Sequence, residues 1–268
     1  MADVSLAIAG VSAAIATRDG DVARVVRERY KGFVSRDDTA RPRAWHIEMN
    51  AASIAPPGAD DVVVRSDGRP DRFLVSRGDL AGTVDLAERR GMVRLTTANE
   101  YAVDSFLRIL YSLALVEAGG LIVHAASLVR RNRAFLFCGR SGAGKTTVAR
   151  LSRDATLLTD ELSIVRLTEG GVHCHGTPFW GELARAGEDR AAPLQGIYFL
   201  HHGPHHVVER LRPRLALERL LPNVLFFARE PRLTGRVFEL ATTLVDAVPC
   251  ADLTFSLDAG FWEVVDHV

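Results

Sequence analysis

Gly139, Gly144, Lys145 and Thr146 carry the G-x-x-x-x-G-K-[ST] spacing of a phosphate-binding loop, inside the run AFLFCGRSGAGKTT at residues 134–147. The pattern predicts a short buried strand, a glycine-rich turn and the start of a helix. Gly139, Gly142 and Gly144 allow backbone torsions that a side chain would obstruct. The successive amides of Arg140, Ser141, Gly142, Ala143, Gly144, Lys145, Thr146 and Thr147 can then converge on phosphate oxygens. Lys145 reaches the β- and γ-phosphates of a nucleotide, and the Thr146 hydroxyl ligates Mg²⁺. ATP and Mg²⁺ are therefore the expected cofactors, with the nucleotide as first partner.

A second group of chemical residues follows the loop. Residues 155–161 read as an apolar strand ending in Asp160 and Glu161. Carboxylates at the carboxyl end of a strand beside a phosphate loop can hold Mg²⁺ or accept a proton from an attacking hydroxyl. His124 joins them by geometry. Residues 121–129 and 133–139 read as a hairpin turning near Arg131, which sets His124 opposite Cys138 or Gly139. Paired Cα atoms in such a ladder lie about 4.5–5.5 Å apart, so His124 is expected beside the mouth of the loop. Glu182, in the glycine- and proline-bearing stretch 176–182, is a candidate third acid or a surface glutamate. His201, His202, His205 and His206 are expected in an exposed loop, and His173 and His175 on one strand face, neither group as a metal site.

The elements that must position these residues divide the chain. Residues 1–98 read as a small β-rich module with one helix at 21–34 and strands around Trp45, Val64, Phe73, Val84 and Val93. Pro56-Pro57-Gly58 breaks it. A long helix over 99–118, capped by Thr97 or Asn99, opens a second domain at 99–268. Beyond the acids come a hairpin at 162–175, a strand at 194–200, helices at 214–226 and 236–248, a strand at 251–257 and a terminal helix. Lys+Arg and Asp+Glu are 33 each, which argues against bulk attraction to nucleic acid or an acidic membrane surface. Three widely spaced cysteines and no evident signal sequence point to a reducing, cytoplasmic setting. Asp104, Arg108 and Glu117 interrupt the most apolar long segment, so no membrane span is expected.

With the ordered set of His124, the loop at 139–146 and the acid-ended segment Leu157-Leu-Thr-Asp-Glu161, residues 116–268 resemble the HPr kinase/phosphorylase family. The closer likeness is to HPr-kinase-related serine kinases beside peptide-modification gene clusters. The resemblance implies an α/β fold with a phosphoenolpyruvate-carboxykinase-like P-loop kinase core and a mixed sheet. It implies an ATP-dependent kinase acting on a hydroxyl, with serine on a peptide or protein as acceptor. On the matching positions Asp160 is the general base, Glu161 the acid near the metal, and His124 the histidine beside the transferred phosphate. Catalytic residues are thus Asp160, His124 and Lys145; metal-site residues are Thr146, Glu161 and Asp160. The family also implies a homo-oligomer. A small-molecule hydroxyl kinase on the same core and a non-catalytic nucleotide-binding module that recruits a peptide are the rival readings.

Overall fold

The structure, a computed structural model, describes residues 2–35, 44–52, 61–69 and 71–266. The expected break at residues 56–58 lies outside them. By contacts the chain forms two units, Met1–Ala118 with Phe226–Gly235, and Gly119–Leu225 with Arg236–Val268. Both hold mixed sheets, so the fold is α/β.

The first unit comprises β1 (Ala2–Ile8), β2 (Val11–Thr17), α1 (Gly20–Arg29), β3 (Trp45–Ala51), β4 (Val63–Ser66), β5 (Arg72–Arg77), β6 (Leu80–Asp85), β7 (Arg90–Leu95) and α2 (Glu100–Glu117). Its seven strands run in the order β1-β2-β3-β7-β6-β5-β4. β2 and β7 bury every second residue, the pattern of a sheet with one covered face. Asp19 caps α1 by accepting from the amides of Asp21 and Val22, and Asn99 caps α2 by accepting from that of Ala102. Asp104 ties the two helices together. It accepts from Arg29 (3.0 Å), the Tyr30 hydroxyl (2.5 Å) and Arg108 (3.1 Å). The expected domain boundary at 98/99 therefore differs from the observed one, because α2 packs on α1 and on β2, β6 and β7. Residues 226–235 also return to this unit.

The second unit follows α2, beyond whose end Gly119 turns the chain with φ +79. It comprises β8 (Gly120–Arg130), β9 (Arg133–Cys138), α3 (Lys145–Leu151), β10 (Thr156–Thr159), β11 (Leu162–Thr168), β12 (Gly171–His175), β13 (Ala191–His202), β14 (Val207–Arg210), α4 (Pro213–Leu220), most of α5 (Pro231–Ala247), β15 (Cys250–Phe255) and α6 (Phe261–Val265). β8 pairs with β9 and β11, β13 with β9 and β12, and β11 with β12, so these five strands close into a ring of pairings. β13 runs parallel to both β9 and β15, which brings three carboxyl ends to one edge. Here β8 and β9 are buried along almost their whole length. Phe135, Phe137, Tyr198, Phe255, Phe261 and Trp262 form the aromatic centre of that core, with Phe137 stacked on Tyr198 (5.6 Å) and edge-on to Trp262 (5.7 Å). β13 is longer at its carboxyl end than the sequence predicts, taking in His201 and His202, and the short exposed β14 adds to the elements expected from the sequence. The three cysteines are free and buried. Among the described residues no helix is long and apolar enough to cross a membrane.

Candidate functional site

The loop after β9 takes the expected strand–turn–helix course. Gly142 and Gly144 have φ +79 and +102, torsions that only glycine adopts cheaply. Gly144 is constrained twice, since a Cβ there would lie 2.6 Å from Phe255 Cζ. Inside the loop the Ala143 amide donates to the Arg140 carbonyl (3.1 Å). Among the described residues the amides of Ser141, Gly142 and Gly144 meet no backbone acceptor. Arg140 and Ser141 are exposed, Thr146 and Thr147 half-buried. Lys145 is 8% exposed, and its Nζ donates to the carbonyls of Gly139 (2.8 Å) and Arg140 (3.2 Å). Burial pushes its ammonium below the ordinary value, opposed by Cys138 and by the negative charges of Glu161 and Glu182.

The acid pair interrupts one edge of the sheet. β10 pairs with Ser127 to Val129 of β8, β11 with Gly120 to His124, and the register shifts between Leu157 and Thr159. Between these strands the Glu161 carbonyl accepts from the Ala125 amide (2.9 Å). The two side chains then do different things. Asp160 is 2% exposed, and its carboxylate oxygens accept one each from the amides of Gly181 and Leu183, both at 2.9 Å. Glu161 is half-buried, and a Cβ on Gly181 would lie 3.1 Å from its Cβ. Glu182, between the two amides that Asp160 holds, is exposed. The hairpin register sets Ala125 opposite Cys138, so His124 is the next β8 position toward the loop, as expected.

Residues 176–189 are laced along the outer edge of β10. The Thr177 and Glu188 amides donate to the Leu158 and Leu157 carbonyls, both at 3.0 Å. The Thr159 and Thr177 hydroxyls donate to the Phe179 (3.0 Å) and Leu162 (2.8 Å) carbonyls. An edge strand is thereby covered without a further strand. The backbone passes so close that a Cβ on Gly187 would fall 1.6 Å from the Leu158 carbonyl oxygen.

The expected histidine loop is broken up. His201 bonds Asp252 (3.0 Å), His202 the Gly142 carbonyl (2.9 Å) and His206 Asp258 (2.8 Å). His175 is half-buried on β12; burial, then Arg166 and His173, push it down to about 4. Sequence reasoning missed His202, Gly181 and Leu183 as site residues. A local signal for His202 was its place at the end of an apolar strand, but the parallel pairing of that strand with β9 has no mark in sequence.

Among the described residues no group of three or more His, Cys, Asp and Glu side chains is placed to hold a metal ion. Mg²⁺ needs no such group, because it keeps waters and takes phosphate oxygens beside one or two protein ligands. The Thr146 hydroxyl and Glu161 carboxylate are hard oxygen donors that fit this demand. A family model described as SynChlorMet cassette protein ScmC matches residues 97–268. Comparison with curated proteins gives no match.

Proposed function

The chain belongs to the family of SynChlorMet cassette protein ScmC, and for it we propose an ATP- and Mg²⁺-dependent kinase that transfers the γ-phosphate to a hydroxyl, with serine on a peptide or protein as acceptor. The observation that carries this reading is a buried Lys145 whose Nζ meets the Gly139 and Arg140 carbonyls in a loop shaped by positive φ at Gly142 and Gly144. The finer fold we assign is the phosphoenolpyruvate-carboxykinase-like core of HPr-kinase relatives. Its support is the ordered set of His124, loop and acid pair on a sheet where β9 has one antiparallel and one parallel neighbour.

In this reading Lys145 turns from the Gly139 and Arg140 carbonyls to the β- and γ-phosphates, and the loop amides bind the same oxygens. Thr146 and Glu161 hold Mg²⁺, which when bound neutralises charge on the phosphates. His124 lies beside the group transferred. For Asp160 this reading assigns a role other than the general base that its sequence position implies. With both carboxylate oxygens already accepting amides, it orders the turn at 181–183, and Glu161 is the carboxylate that meets the reacting groups. Phosphoryl transfer asks mainly for positioning and charge stabilisation, so a modest proton acceptor suffices. The test is calorimetry with MgATP on Lys145→Ala, which removes a charge-assisted phosphate contact. Most of the affinity should disappear, and unchanged binding refutes the assignment.

A further inference from the structure

We propose that His202 is a positioning residue for the phosphate loop, fixing the orientation of the Gly142–Ala143 peptide; the inference rests on the nucleotide-binding reading above. His202 ends β13, and its Nε2 lies 2.9 Å from the Gly142 carbonyl oxygen. A carbonyl can only accept, so Nε2 carries the proton. The ring is itself held. It lies against Phe255, with centroids 5.6 Å apart, and its Cε1 would be 3.3 Å from a Cβ on Gly144.

Gly142 is where such a brace matters. Its φ is +79, and nothing lies within 4 Å of where a Cβ would be. A peptide after an unhindered glycine rotates as a plate at little cost. In the observed orientation its N–H, on Ala143, meets the Arg140 carbonyl, and its carbonyl meets His202. The Arg140 carbonyl also accepts from Lys145 Nζ (3.2 Å). A flip of the plate would turn the Gly142 carbonyl toward that same carbonyl and toward the ammonium. The loop would then offer Lys145 another acceptor to compete with phosphate. It would also present partial negative charge where an anion must bind. His202 opposes the flip from a strand end outside the loop.

Calorimetry with MgATP and with magnesium tripolyphosphate, the phosphate chain alone, tests this on three variants. His202→Ala loses ring and donor. His202→Phe keeps a ring against Phe255 but loses the donor. His202→Gln keeps an N–H at similar reach. The alanine and phenylalanine variants should bind both ligands about 3- to 10-fold more weakly, the scale of one hydrogen bond. Glutamine should restore both affinities to within about 2-fold of wild type by the same bond. Wild-type affinity in the phenylalanine variant, or a glutamine variant as weak as it, overturns the role of His202 alone. A wild-type chain that binds neither ligand overturns the nucleotide reading and this inference with it.

Discussion

The turns after β9 and β10, strands that pair on opposite sides of β8, are held in shape by different means. The turn after β9 is shaped by torsion and close approach, with φ +79 and +102 at two glycines and Phe255 against a third constraint point at Gly144. The turn after β10 is shaped by a side chain. Asp160 reaches amides 21 and 23 residues further along the chain. A torsion-built turn keeps its amides for a ligand, whereas a side-chain-built turn spends a carboxylate to fix a second loop. On the kinase reading proposed above, the first turn would bind the anion and the second would order the acceptor side.

The largest effect should come from Gly144→Ala. The new Cβ would combine an unfavourable positive φ with a 2.6 Å approach to Phe255 Cζ. We expect a loss of about 2–5 kcal/mol in denaturant unfolding, together with loss of MgATP binding by calorimetry. Near-wild-type stability with intact binding would end the contrast between the two turns.

Next comes Asp160. Asp160→Ala leaves the Gly181 and Leu183 amides without their acceptor, at a cost of about 1–2 kcal/mol for half-buried donors. Hydrogen exchange at those amides should quicken while MgATP affinity stays. Asp160→Asn sharpens the point, because its NH₂ must face an amide N–H. If Asp160 positions the loop, protection and phosphoryl transfer fall together. If it is instead the proton acceptor, transfer falls while protection persists.

The smallest effect is a pH dependence at the root of the second loop, where His175 precedes Gly176. Its folded value of about 4 lies below the ordinary 6.5, so the unfolded chain binds the proton more tightly. The stability this histidine contributes is present above about pH 6.5 and is lost as pH falls toward about 4. Thermal melting across that window should show a decline that His175→Gln flattens; equal slopes for both proteins would discount burial as the cause.

What the sequence revealed follows the same division. The loop at 139–146 was legible because each glycine is demanded locally, by torsion or by a neighbour a few residues away. The β8–β9 hairpin and the position of His124 were legible because a short turn fixes register. The strand end at Asp160 was legible as a place, but not the direction of its carboxylate, which depends on amides in a loop with no periodic pattern. The Gly-Pro pair that closely follows His202 signals a loop, whereas its membership of β13 depends on the parallel register with β15, which pairs His202 with Phe255. The boundary at 98/99 followed the change from strands to helix, whereas the packing of α2 on β2, β6 and β7 assigns it to the earlier unit.

The return of residues 226–235 to the first unit has a consequence for synthesis. Arg232 bonds Glu117 (2.7 Å) and also pairs with Asp71, so these contacts await a segment made after β14. A ribosome delivers nearly all strands of the second unit before it delivers the last piece of the first. Domains of a growing chain ordinarily fold amino-terminal first. Here all seven strands and both helices of the first unit emerge early, and only its last segment, 226–235, joins them late, so the two units reach completion interleaved in time.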